Sequence, residues 1–222
     1  MFPIRDDQPK YTTPVVTILI VVLNVMAFLF ELSLDDYSRN HFIMSFGLIP
    51  GKFHFSALLT SMFMHGGWFH IIGNMVFLWA FGRTIEDAMG SGKFIVFYLL
   101  SGLAAGMTQV LLSPYSTVPV VGASGAIAGV MGAYLVTFPR ARIHTIVFIF
   151  VFFTSLDIPA VFILVYWFIT QLFSGLGSIG YSHISEGGTA WFAHIGGFIA
   201  GIVFIKLMGI QNRFYRRGGA HW

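Results

Sequence analysis

Two short motifs, Gly122-Ala123-Ser124-Gly125 and Ala193-His194-Ile195-Gly196-Gly197, each open a long apolar run. A hydroxyl and an imidazole carried into hydrocarbon are unfavourable unless paired or working, so two such groups at matching positions on two helices point to a site. Serine is a poor nucleophile until a base takes its proton, and imidazole is a base that cycles near neutral pH. The chemistry implied is acyl transfer by a Ser124–His194 dyad. Competing bases fall away by position. No Lys or Arg lies at the depth of Ser124. Glu86, Asp87 and Asp157 are expected at the inner side, Glu31, Asp35 and Asp36 at the outer end of the first helix, and Glu186 in the last outer loop. With 0 cysteines, thiolate nucleophiles, disulfides and iron–sulfur ligation are excluded.

An acyl transfer also needs donors aimed at the developing oxyanion. His70 and Asn74 are four apart, one turn above the other on one helix face, and both can donate. The Ser124 backbone N–H, at the start of its helix, adds a third donor and the positive end of the helix dipole. Small residues account for the approach of the two helices: Gly125, Gly129 and Gly132 follow the serine, and Gly197 and Gly201 form a G-x-x-x-G after the histidine. This chemistry requires no cofactor and no metal, and no nucleic-acid partner is expected.

The elements that hold these residues must lie in lipid. Of 222 residues, 56% are hydrophobic and 9% charged, far from the roughly 25% charged of a soluble domain. The mean hydropathy is +0.80, and an integral membrane protein is expected. The first apolar run lacks the flanks of a cleaved leader and is read as a retained helix. Span candidates are residues 14–34, 68–82, 94–112, 123–139, 159–176 and 190–207. The expected fold class is an all-α polytopic membrane protein, a six-transmembrane-helix bundle over residues 14–209. A short cytoplasmic segment (1–13) precedes it and a basic cytoplasmic tail (210–222) follows. Residues 143–156, about 14 in number, are too short for a span and are read as re-entrant or interfacial.

Lys and Arg positions orient the bundle. Arg5, Lys10, Arg83, Lys93, Arg140, Arg142, Lys206, Arg213, Arg216 and Arg217 fall on one side, and only Arg39 and Lys52 on the other. That asymmetry assigns both termini to the cytoplasm of a multi-pass protein in the plasma (cell inner) membrane. The longest outer loop, 35–56, is aromatic enough to lie against the membrane surface. At 1.5 Å per residue, Ser124 stands about 24 Å above Arg140, His70 about 20 Å above Arg83 and His194 about 18 Å above Lys206. All three can share one level in the outer half of a hydrocarbon core about 30 Å thick. The uncharged segment 113–121, with two prolines, is read as a loop dipping inward to meet a short helix, which would let water reach the serine.

Taken together, His65-Gly66-Gly67-Trp68-Phe69-His70-Ile71-Ile72-Gly73-Asn74, Gly122-Ala123-Ser124-Gly125 and Ala193-His194-Ile195-Gly196-Gly197 resemble, in order, the motifs of rhomboid intramembrane serine proteases. The resemblance extends over essentially the whole chain. It implies a six-helix core with Ser124 as nucleophile, His194 as general base and acid, and His70 and Asn74 as oxyanion donors. It also implies single-span membrane proteins as substrates, entering laterally past the fifth helix and the last outer loop. Two departures stand out. Ser56-Ala57 occupies the place of a Trp-Arg pair common before the apolar stretch Leu58-Leu59-Thr60. Ala128 stands where some members carry an aromatic, one turn after the serine, that stacks on the histidine.

Singly, each motif is more often packing or polar glue than catalysis. Jointly, at a common depth and with no rival base, they point to a serine endopeptidase. The alternatives are a non-catalytic relative that binds membrane clients and a metal or solute transporter using His65, His70 and His194 as ligands. The transporter reading lacks the internal repeat such proteins carry. His65 is read as a holder of the outer loop, and Arg83, Thr84, Glu86 and Asp87 as a turn with an ion pair and a helix cap. The Phe residues of the fifth span, with Trp167, are read as lipid-facing.

Overall fold

The computed structural model describes residues 2–149, 152–180 and 190–210. The last outer loop with His183 and Glu186, and the tail from residue 211 with Arg213, Arg216, Arg217 and His221, lie outside the described residues. The helices are α1 (Val15–Ser33), α2 (Asp36–Phe46), α3 (Ala57–Thr60), α4 (Trp68–Phe77), α5 (Arg83–Met89), α6 (Ser91–Leu112), α7 (Ser124–Thr137), α8 (Ala160–Gly180) and α9 (Trp191–Met208). Among the described residues there are three strands, β1 (Phe2–Asp6), β2 (Arg142–Ile149) and β3 (Phe152–Pro159), and short 3-10 turns at Pro50–Lys52 and Ser61–Phe63.

Apolar runs become helices here because lipid offers the backbone no hydrogen bonds, so each segment must satisfy its own. Among the described residues, Val15–Ser33, Ser91–Leu112 and Trp191–Met208 are each at least 18 residues long and apolar enough to cross a membrane. The chain is a polytopic helical membrane bundle. The second apolar run does not stop near Gly82. It continues with helical torsions through a wider turn, Leu78–Gly82, into α5, and ends where Gly90 takes φ +84°, a left-handed stop that glycine adopts freely. At the other extreme α7 has only 14 residues, because the chain reaches it as non-helical backbone.

The centre of the bundle is α6, α7 and α9. A Cβ placed on Gly197 would stand 2.0 Å from the Gly125 carbonyl oxygen, and one on Gly201 would stand 1.9 Å from that of Gly129. On the other side of α7, a Cβ on Gly125 would come within 2.7 Å of Ala105 Cβ, and one on Gly129 within 2.5 Å of Ser101 Cβ. The backbones of α7 and α9 therefore touch, a separation only small residues permit.

The sheet is an addition to the expected all-α architecture. β2 pairs antiparallel with both β1 and β3, with an irregularity between Pro3 and Arg5. Of residues 143–156, expected to be re-entrant or interfacial, 143–149 and 152–156 lie in the paired antiparallel strands β2 and β3. Their Ile, Val, Phe and Thr content suits a pleated, half-buried surface, and the first residues of the chain supply a third strand.

Three carboxylates lock the N-terminal segment to α5. Glu86, buried, accepts from the backbone N–H of Val16 (2.9 Å) and Thr17 (2.7 Å) and from the hydroxyls of Thr17 and Ser91 (both 2.7 Å). It thereby caps α1 at its positive end. Asp87 accepts from Tyr11 N–H (2.8 Å) and from the Thr12 hydroxyl. Asp6 accepts from Lys10, the Thr84 hydroxyl and the Tyr134 hydroxyl, the last at 2.8 Å. Burial pulls Lys10 below the ordinary ammonium range, and Asp6 opposes that effect. The cap expected of this turn is present, but Arg83 departs from the expected ion pair. It stacks on the Trp79 ring, 4.5 Å from its centroid, and donates to the Trp79 carbonyl.

At the opposite end, the loop 35–56, expected on the outer side, is held by backbone and not by a Trp-Arg pair. Leu48 and Val120 exchange N–H···O bonds of 3.0 and 2.8 Å, Gly51 donates to the Ser116 carbonyl (2.8 Å), and Gly122 donates to that of Ser61 (2.8 Å). Leu48, Ala57 and Leu58 form a small buried cluster beneath it.

Since the α7–α9 contact is backbone on backbone, Gly201→Ala should force the helices apart and destabilise the protein by about 1–3 kcal/mol. Gly73→Ala, where an added Cβ meets nothing within 4 Å, serves as the control. Thermal unfolding in detergent checks this. Equal melting of the two variants would refute the contact.

Candidate active site

Ser124 is the first residue of α7. Two residues earlier Gly122 takes φ +124°, a region open to glycine and strained for other residues, so the chain turns sharply into the helix and presents the serine at its N-terminus. The last residue of this turn, Ala123, already has helical torsions.

His194 lies in the first turn of α9 and is 8% exposed. Its Nε2 stands 2.8 Å from Ser124 Oγ. On the far side of the ring, Nδ1 stands 2.6 Å from Gln171 Oε1 of α8. A carboxamide oxygen only accepts, so this contact calls for the hydrogen on Nδ1 and the lone pair of Nε2 towards the serine hydroxyl. The histidine's height is set from α6, where Gln109 Oε1 accepts the Ala193 N–H (3.1 Å), one of the donors α9 cannot satisfy within itself. Trp167 of α8 lies with its ring centroid 5.6 Å from that of His194, and Trp191 meets it edge-on at 6.4 Å. Trp167, expected to face lipid, is instead half-buried between His194 and Phe198. Ala128 is fully buried in the core, and the aromatic beside the histidine comes from α8.

His70 and Asn74 sit on α4, facing the turn before the serine. A Cβ on Gly122 would lie 2.7 Å from His70 Nε2 and 3.5 Å from Asn74 Nδ2. The Gly66 N–H reaches His70 Nδ1 at 3.4 Å, which makes Nδ1 an acceptor and leaves the hydrogen on Nε2, the nitrogen that faces Gly122. Asn74 is buried, and its Nδ2 has no hydrogen-bond partner among the described residues. A buried amide without an acceptor is unfavourable by about 1–3 kcal/mol, and this one stands beside the turn that presents the serine.

The four polar residues named from the sequence, Ser124, His194, His70 and Asn74, therefore gather around one turn. His65 does not join them. Its backbone N–H is bound by the buried Glu31 carboxylate (3.2 Å), and its ring packs edge-on against His70 and Phe28. Among the described residues no group of three His, Asp or Glu side chains is arranged to hold a metal ion. Gln171 was not singled out from the sequence, and Trp167 was read only as lipid-facing. A glutamine within an otherwise apolar run, four residues after a tryptophan, is the signal that could have found them.

Comparison with known proteins follows the same lines. A family model described as the Rhomboid domain matches residues 52–211. "Rhomboid protease GluP" of Bacillus subtilis is 34% identical over 127 residues, covering 55% of this chain and 24% of that protein. "Rhomboid protein 1, mitochondrial" of Saccharomyces cerevisiae is 31% identical over 96 residues, 41% of this chain and 28% of its own length. "Rhomboid-like protease 3" of Toxoplasma gondii is 23% identical over 202 residues, 86% of this chain and 66% of its own. The chain thus spans about a quarter of the length of the first two.

Because a side chain at position 122 would intrude on His70, Gly122→Ala should slow covalent labelling of Ser124 by a fluorophosphonate about 10²-fold, the penalty of roughly 1 Å of misplacement. Labelling at the original rate would mean that the turn does not shape the site.

Proposed function

The chain belongs to the rhomboid family, and from that premise we propose that it is an intramembrane serine endopeptidase that cuts transmembrane segments of single-span membrane proteins. The observation that carries the reading is the 2.8 Å contact between His194 Nε2 and Ser124 Oγ, with Gln171 Oε1 2.6 Å from the other ring nitrogen. In this mechanism Ser124 Oγ attacks the scissile carbonyl carbon while His194 Nε2 takes the hydroxyl proton. The carbonyl oxygen becomes an oxyanion, facing His70 Nε2–H, Asn74 Nδ2–H and the Ser124 backbone N–H. Collapse expels the amine, which takes its proton from His194, and leaves an ester on Ser124. A water molecule, deprotonated by the same imidazole, then hydrolyses the ester.

The surroundings suit this sequence of events. An oxyanion in low dielectric is tolerable only against fixed donors, and the Asn74 amide, unpartnered at rest, is such a donor. The non-helical approach between residues 113 and 123 supports an aqueous route to the serine, since exposed backbone at membrane depth has to line a cavity. Substrate is taken to enter from the side of α8. The distribution of Lys and Arg supports a protein of the plasma membrane with both termini in the cytoplasm, the sheet on that side and the serine nearer the outer face. In domain terms the reading is a protease domain over 14–209 with a basic tail beyond 210. A non-catalytic client-binding relative would have no use for a serine hydroxyl held 2.8 Å from a buried imidazole nitrogen.

Incubation of the detergent-solubilised protein with a helix-destabilised transmembrane substrate tests the proposal. Ser124→Ala should abolish cleavage. Asn74→Ala should lower kcat by about 10²–10³ with little change in KM, as for loss of one oxyanion donor. Cleavage that survives Ser124→Ala would discard the reading.

A further inference from the structure

We infer that Gln171, carried by α8, is a positioning residue that completes the dyad as a third member, selecting the His194 tautomer that can accept the Ser124 proton. The inference rests on the protease reading and goes beyond it by tying the base to a third helix. Nucleophile, base and orienting group then come from α7, α9 and α8 in turn.

The carboxamide is a two-way group. With Oε1 towards His194 Nδ1, as at the observed 2.6 Å, the ring must hold its hydrogen on Nδ1 and offer Nε2 to the serine. With the amide rotated by half a turn, Nε2 of Gln171 would donate to Nδ1. The imidazole hydrogen would then sit on the nitrogen facing Ser124, where it cannot take a proton. Thr170 biases the choice. Its hydroxyl donates to the Trp167 carbonyl (2.6 Å), which leaves its oxygen lone pairs to receive the Gln171 amide N–H at 3.4 Å. Trp167, packed beside His194, limits the ring's freedom to turn away.

A glutamine also fits its depth better than a carboxylate would. Gln171 is 7% exposed within an apolar helix, and an ionised acid there would be strongly disfavoured by desolvation while the imidazole is neutral. The amide supplies the acceptor without the charge, and its dipole still favours the imidazolium formed when the serine attacks. Positions 167, 171 and 175 share the face of α8 that meets α9: Trp167 and Gln171 reach His194, and a Cβ on Gly175 would lie 3.3 Å from Trp191 Cβ. Phe162, Tyr166 and Phe173, on the other face, are exposed. Any displacement of α8 from α9 withdraws the acceptor from Nδ1, so the chemistry requires α8 to be docked when the serine attacks.

Two measurements test the assignment, both on the full chain in detergent. Nitrogen NMR of histidine-labelled protein, with the His194 signals identified by their loss in His194→Gln, should find Nδ1 protonated and Nε2 bare. A protonated Nε2, or an even mixture of tautomers, overturns the proposal whether or not any substrate is cut. In turnover, Gln171→Met should lower kcat by about 10- to 100-fold and leave KM within about twofold, while Gln171→Glu, which keeps an acceptor oxygen, should recover part of the loss. Unchanged kcat in Gln171→Met, or a loss confined to KM, also overturns it. If Gln171→Met does not fold, the tautomer in the unaltered protein decides. Absence of cleavage by the unaltered protein would count against the protease reading and leave the tautomer result standing.

Discussion

The backbone contact between α7 and α9 is the constraint from which the site follows. Lipid tails are as apolar as leucine, so helices in a bilayer gain little from hiding apolar surface and associate through close packing and hydrogen bonds. Glycines at 125, 129, 197 and 201 let the two backbones meet at a separation that any side chain would block. With the helices that close, Ser124 at the start of one and His194 in the first turn of the other stand 2.8 Å apart without either side chain stretching. The Gln109–Ala193 bond from α6 fixes the height of α9 against α7, so the third core helix sets register while the glycines set distance.

Polar groups inside such a bundle divide by whether they are satisfied. Glu86, Asp87 and Asp6 at the sheet-bearing end accept hydrogen bonds from the N-terminal segment, α1 and Tyr134, and tie the sheet to the helices. Glu31 is likewise engaged, by the His65 backbone. A buried charge with partners of this number is a fastening. Asn74, like the His65 ring and the Tyr98 and Ser101 hydroxyls, has a buried polar atom without a hydrogen-bond partner among the described residues, and it stands beside the turn that presents the serine.

The helices and the polar quartet were legible in the sequence. The apolar runs 14–34, 94–112 and 190–207 came within a few residues of α1, α6 and α9, because in lipid an apolar run has little choice but to be a helix. The i, i+4 spacing of His70 and Asn74 and the common depth of Ser124 and His194 follow from helical rise alone. The hairpin was less legible. Residues 143–156 read as apolar but too short; β2 pairs with its neighbour β3 on one side and, on the other, with Phe2–Asp6, about 140 residues away in the chain. The sequence excluded a span there, yet could not supply the partner.

What the sequence determined by itself is therefore what depends on local periodicity and composition: the helical bundle, its packing glycines, and the residue types able to do acyl transfer at one level. What the tertiary structure decided is the company each polar group keeps. That Glu86 caps α1, that Trp167 turns inward to His194, and that Gln171 takes the second imidazole nitrogen all depend on how α8 and α5 are rotated against their neighbours. Such rotations are set by side-chain packing between segments far apart in the chain, and a hydrogen bond made across them leaves no periodic trace in either segment.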